Sequence, residues 1–203
     1  MDDDRPADGA AALDRLMAGN RRYAAEAPAN DGRDARRRQA TSVAQQPFAV
    51  ILTCADSRLP AEIIFDQGIG DLFVVRVAGN TGTAPQVQGS IEFGITALKA
   101  NLLMVLGHED CGAAKAAVDA AVDGATYPGQ IGAFVDPIVP AARMAAGLPK
   151  DQRVAAAVVQ NVRDQLALFK ELGPIVQPAI DDGSVLLVGA TYALASGEVT
   201  LLD

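Results

Sequence analysis

Four short runs of apolar residues stand out along the chain, each ending abruptly in polar or small residues. Residues 47–53 (PFAVILT) end at Cys54-Ala55-Asp56-Ser57-Arg58, and residues 71–77 (DLFVVRV) at Ala78-Gly79-Asn80. Residues 101–107 (NLLMVLG) end at His108, and residues 184–190 (SVLLVGA) form the fourth run. Runs of this length with no polar alternation suit strands buried on both faces of a parallel sheet. Between them, residues 85–100, 112–122 and 154–172 read as helices, and residues 198–202, after the turn Ala195-Ser196-Gly197, as a short edge strand. Near the start, Leu13, Leu16, Met17 and Tyr23 recur at helical spacing and predict an amphipathic helix over 11–27, with Gly19-Asn20 as its weak point. The proline-bearing stretch 126–150 is irregular and is expected to hold short helices. The alternation predicts an α/β fold: an open, mainly parallel β-sheet of four strands plus a short edge strand, flanked by helices, with an N-terminal helical arm.

Length adds one constraint, since 203 residues suffice for one domain with a sizeable core. Residues 1–10 are acidic and read as a disordered tail, leaving 11–203 as a single domain. The net charge of −8 argues against a nucleic-acid partner, which would need a concentrated basic surface. No apolar run approaches the roughly 20 residues that span a bilayer, so no membrane partner is expected. No signal peptide is evident, and a cytoplasmic location is expected. The basic cluster Arg33, Arg36, Arg37 and Arg38 reads as a solvated face, with contact to an acidic surface of a second subunit as the alternative.

Candidate chemistry gathers at the strand ends. Both cysteines and the only histidine follow predicted strands, at the edge of an α/β sheet where ligands bind. Cys54 follows the first run; His108 and Cys111 follow the third, at the expected start of a helix. That helix start would favour a thiolate at Cys111. A Cys₂His set gives Zn²⁺ three protein ligands and leaves the fourth position available, as in catalytic sites, and no further Cys or His remains to close it. Asp56 lies near enough to reach the metal or its water, and Arg58 can hold Asp56 in a bidentate pair. No G-x-G-x-x-G follows any strand, so a nucleotide fingerprint is lacking.

CADSR at 54–58 and GHEDCGA at 107–113 resemble the two signature motifs of the β-class carbonic anhydrases, Cys-x-Asp-x-Arg and His-x-x-Cys. DLFVVRVAGN, SIEFGI and LLVGATYALASGEV also look like that family, so the likeness runs from about Ala11 to the C-terminus. The resemblance implies reversible hydration of carbon dioxide to bicarbonate and a proton, by attack of zinc-bound hydroxide on CO₂. It further implies one zinc per subunit on Cys54, His108 and Cys111, Asp56 and Arg58 as catalytic residues, and a homodimer or homotetramer. The N-terminal helix and the SIEFGI stretch are the expected interface. Phe73, Val75 and Phe93 are expected as pocket walls, and Gln67 as a pocket residue by family position. Some relatives carry a regulatory bicarbonate site built on a Trp and an Arg. Arg76 stands at the Arg position but Ile51 replaces the Trp, so Arg76 is expected to be a structural ion-pair partner. With the only histidine committed to the metal, the proton is expected to leave through water and buffer or an exposed carboxylate. Carbonyl sulfide or carbon disulfide as substrates, and a zinc module without catalysis, are the alternatives.

Overall fold

In the computed structural model, which describes residues 5–203, the four runs form parallel strands β1 (Ala49–Thr53), β2 (Leu72–Arg76), β3 (Leu102–His108) and β4 (Leu186–Tyr192). Strand β5 (Val199–Leu201) pairs antiparallel with β4, and the spatial order is β2-β1-β3-β4-β5. This is the expected sheet. β1 and β3 are buried at every position, which is why their sequences show no polar alternation. Ala49 and Ile51 of β1 join a core with α1 (Gly9–Ala24), α5 (Gly112–Asp123) and α7 (Val139–Ala145). Val50 and Leu52 face the other side, against α4 (Pro85–Thr96), α8 (Lys150–Glu171) and α9 (Val176–Asp181). Three shorter helices, α2 (Ala35–Thr41), α3 (Ala61–Ile64) and α6 (Gly132–Val135), are too brief to show a period in sequence.

One register decides where the chemistry lies. β1 pairs with β3 so that Thr53 is opposite Leu106, and the Thr53 hydroxyl donates to the Leu106 carbonyl at 3.1 Å. The residue after β1 therefore emerges on the same sheet edge as the end of β3. β3 also runs one residue beyond its apolar run, making His108 its last residue.

The N-terminal helix has no weak point at Gly19-Asn20. Gly19 sits directly on the Phe65 carbonyl, where an added Cβ would lie 1.8 Å from the oxygen. Buried Asn20 donates to the carbonyls of Ile64 (3.2 Å) and Gly197 (2.8 Å) and accepts from Val199 N–H (2.8 Å). These two residues are the contact that seats α1 on its own chain. Of the tail expected over 1–10, residues 1–4 lie outside the described residues. Arg5 donates to the carbonyls of Pro47, Leu98 and Lys99, and Asp8 caps α1 by accepting from Ala11 N–H.

The basic cluster divides. Arg36 and Arg38 are exposed. Arg33 and Arg37 instead pair within the chain, correcting the view of the whole cluster as a solvated face or a contact to a second subunit. Arg37 reaches Asp71 at 2.7 Å, and Arg33, with Arg22, brackets Asp66 at 3.4 and 2.7 Å. The Asp66 carboxylate has no exposed side-chain surface and also accepts from the N–H groups of Ala29 and Asn30. Burial alone pushes that carboxyl up, but the bonds from Arg22, Ala29 and Asn30 outweigh it and hold it below the usual range.

Asp66→Asn is accordingly expected to cost about 2–4 kcal/mol in urea unfolding at pH 7, because it breaks a buried, charge-assisted cluster. A carboxyl depressed in the folded state gives stability present above its unfolded pKa of about 3.9 and lost as pH falls through the folded value. The variant should therefore also show a shallower acid limb, and wild-type stability at pH 7 with an unchanged acid limb would refute the assignment.

Candidate metal centre

Cys54 is the first residue after β1, and its Sγ accepts the backbone N–H of Gly79 at 3.3 Å. Gly79 lies in the turn after β2 with φ of 75°, and a Cβ there would come within 2.4 Å of Ile138 Cδ1 and 3.0 Å of Ala113. Only glycine satisfies both the left-handed backbone and the close approach. Cys111 is the N-cap of α5, one turn of chain beyond His108.

His108 is fully buried, and its Nδ1 is 2.8 Å from the Glu109 carbonyl. A carbonyl only accepts, so Nδ1 carries the hydrogen and Nε2 presents its lone pair. That Nε2 is buried and has no hydrogen-bond partner. It faces the two sulfurs, and one ligand atom from each of Cys54, His108 and Cys111 lies within 4.8 Å of the others. An unpartnered imidazole lone pair beside two thiols is a donor set that fits zinc.

The two sulfurs are hydrogen-bonded to each other. Cys111 and the neighbouring His108 ring, with the N–H groups of Gly79 and Asp56, draw Cys54 below the ordinary thiol range against the effect of burial. Cys111, as donor to Cys54 and itself buried, is pushed up. The N–H groups of Ala113 and Ala114 at the helix start act in the opposite sense but are outweighed. Through those two N–H groups the helix start acts on Cys111 in the expected sense.

Asp56 stands beside this trio. Its carboxylate accepts from Arg58 at three points, Nε at 2.9 Å, Nη2 at 2.7 Å and the backbone N–H at 2.9 Å. Those bonds keep Asp56 far below the usual carboxylate range, hence ionised. Asp56 Oδ2 is 4.0 Å from His108 Nε2. Arg76 has no ion-pair partner among the described residues. Its guanidinium donates to the carbonyls of Cys54 (3.2 Å) and Asp56 (2.5 Å), clamping the backbone of the turn that carries both residues.

A cavity of about 500 Å³ opens over Cys54 and Asp56. Its walls include Ala78, Ala113, Ala116, Tyr127, Ile131 and Phe134, and the Tyr127 hydroxyl is bound to the Ala116 carbonyl at 2.9 Å. The expected wall residues are elsewhere. Phe73 and Val75 line a separate cavity of about 310 Å³ beside Arg76, and Phe93 is half exposed on α4. Gln67 is buried away from the cavity, accepting from Arg15 at 3.0 Å and donating to the Phe65 carbonyl at 2.7 Å. Tyr127, Ile131 and Phe134 come from the irregular stretch between α5 and α7, where only the three large side chains hinted at a wall.

Residues 49–199 match the family model described as carbonic anhydrase. The chain belongs to the carbonic anhydrase family, in its β class. It is an enzyme of that activity. A carbonic anhydrase from Mycolicibacterium smegmatis is 39% identical over 193 residues, covering 94% of this chain and 92% of the relative. The Coccomyxa β-carbonic anhydrase, solved in complex with acetazolamide, shares 27% identity and a TM-score of 0.73 over 94% of this chain and 86% of that one. A tetrameric β-carbonic anhydrase of the ascomycete Sordaria macrospora has the same fold, with a TM-score of 0.74 at 22% identity over 81% of this chain and 85% of that one.

Because Arg76 touches the backbone of the carbonic anhydrase turn and no ligand atom, Arg76→Met should leave the fold intact. It should lower kcat/KM for carbon dioxide hydration by about tenfold, the scale of lost ligand support. Stopped-flow rates equal to wild type would show that the clamp is dispensable.

Proposed function

We propose that this chain carries out the reversible hydration of carbon dioxide to bicarbonate and a proton with one zinc ion per subunit, held by Cys54, His108 and Cys111. The observation that carries this reading is the buried, unpartnered Nε2 of His108 facing two cysteine sulfurs, one of which, that of Cys54, belongs to a residue lining an apolar-walled cavity. Zinc at such a site lowers the pKa of a bound water from about 15.7 toward about 7, which hydration at neutral pH requires. Three protein ligands leave one coordination position for that chemistry.

The remaining roles belong to the chain. Ionised Asp56 is an acceptor only, so it takes a hydrogen bond from the attacking oxygen and turns a lone pair toward the cavity. Arg58 holds Asp56 in that orientation. Ala78, Ala113, Ile131 and Phe134 offer an uncharged substrate an apolar wall while excluding water. His108 is the sole histidine and is committed to the ligand set, so the proton leaves through water and external buffer.

Purified protein should contain about one zinc per chain and hydrate carbon dioxide in a stopped-flow assay. Cys54→Ser should lose the metal, and Asp56→Asn should lower kcat/KM about a hundredfold with zinc retained. Turnover should rise with buffer concentration, and saturation at negligible buffer would sink the proton route. A fully folded wild-type protein without zinc would overturn the whole reading.

A homo-oligomer accords with the tetrameric relative and with the sheet edge. β2 pairs only with β1, leaving its outer edge without a partner among the described residues. Beside it, α4 exposes half of Phe93, whose ring lies 6.1 Å from that of Phe73. An apolar strand edge of this kind is normally covered. We place a second copy there, over β2 and the SIEFGI stretch of α4, while α1 is seated on its own chain. Light scattering should give a multiple of 21.0 kDa, shifted toward the monomer by Phe93→Asp; a wild-type monomer would refute it.

A further inference from the structure

Helix α8 packs through Val162 and Phe169 into the core on the sheet face opposite α1, while Val158, nearer its start, joins the other core. Two positions break the pattern. Asn161 and Gln165 are each only 3% exposed, four residues apart on one face of the helix. Burying two amides in an apolar face costs stability unless every polar atom is matched.

The matching runs toward the metal centre. Asn161 Nδ2 donates to the Gly79 carbonyl at 2.9 Å. Its Oδ1 accepts from Gln165 Nε2 at 3.2 Å, and Gln165 Oε1 accepts the Gly82 N–H at 2.7 Å. The two ends of the 79–82 segment are thus pinned by one rigid helix through three interlocked bonds. Gly79 is also the residue whose N–H donates to Cys54 Sγ. With Gly79 at φ 75° and ψ 12°, fixing its carbonyl fixes the direction of its N–H as well.

We propose that Asn161 and Gln165 are positioning residues for the Cys54 ligand, acting from α8 through the 79–82 turn to aim the Gly79 N–H at the sulfur. The inference rests on the zinc reading above. A hydrogen bond to a ligating sulfur draws charge from it and fixes its lone pairs, so support of this kind tunes both hold on the metal and thiolate electronics. An apolar pair at 161 and 165 would fill the same volume but leave the Gly79 carbonyl and Gly82 N–H unsatisfied and the turn free to rotate.

The test compares zinc-loaded wild type with Asn161→Leu and with the outer, milder Gln165→Met. The control is Asn20→Ala, which removes another 3% exposed asparagine bridging three backbone groups, in α1. Zinc release to excess chelator is expected to quicken about tenfold in Asn161→Leu and by a smaller factor in Gln165→Met. In the cobalt-substituted proteins the thiolate-to-metal charge-transfer band should move to longer wavelength in both. Asn20→Ala should lower thermal stability yet leave release rate and band position at wild-type values. If only Gln165→Met folds, the same two readouts on it decide. Wild-type values in both α8 variants, or equal changes in Asn20→Ala, would overturn the positioning role. Wild-type protein that binds neither zinc nor cobalt would instead overturn the metal reading itself.

Discussion

The pairing of β1 with β3 in a single parallel register is the constraint on which the site depends. Thr53 lies opposite Leu106, so Cys54 leaves the sheet level with the last turn of β3 and beside His108. A slip of one residue would turn Cys54 away and exchange the two cores, since Ala49 and Ile51 face one layer of helices and Val50 and Leu52 the other. The apolar content of both strands therefore does more than bury surface. It fixes the register, and the register brings Cys54 together with His108 and Cys111, which are distant in sequence.

This explains which features could be read from sequence. Cys54, His108, Cys111, Asp56 and Arg58 lie at the ends of strands whose apolar runs are unmistakable, so their meeting at one sheet edge was legible. The walls were not. Phe73 and Val75 looked suitable because they are apolar and near the site in sequence, but β2 is the edge strand and they line the cavity beside Arg76 instead. Tyr127, Ile131 and Phe134 reach the site from an irregular segment with no period to show where it folds.

Long-range polar partners were hidden for the same reason. Arg33 and Arg37 read as a charge run because Asp66 and Asp71 lie about thirty positions further along the chain. Gly19-Asn20 resembled a helix flaw because its value comes from Phe65 and from the 197–199 stretch, on two other segments. Arg76 pairs with backbone carbonyls, for which no residue type can serve as a signal. Asn161 and Gln165 did leave a trace, as two amides in an otherwise apolar helical stripe, but their targets are again backbone groups.

Support of the site from every side has a physical consequence. Gly79 N–H holds Cys54, the Glu109 carbonyl holds the His108 ring, Arg58 holds Asp56, and Arg76 holds the turn between them. Each partner is set by an element already fixed by the core: β3 for His108, β2 for Arg76, α8 for the Gly79 turn. The entropy of ordering the site is therefore lost on folding rather than at each encounter with substrate. A small uncharged molecule offers few contacts with which to organise a site around itself. An arrangement meant to act on one has to be organised beforehand, and the backbone-directed bonds of Arg76 and Asn161 are what that demand looks like in this chain.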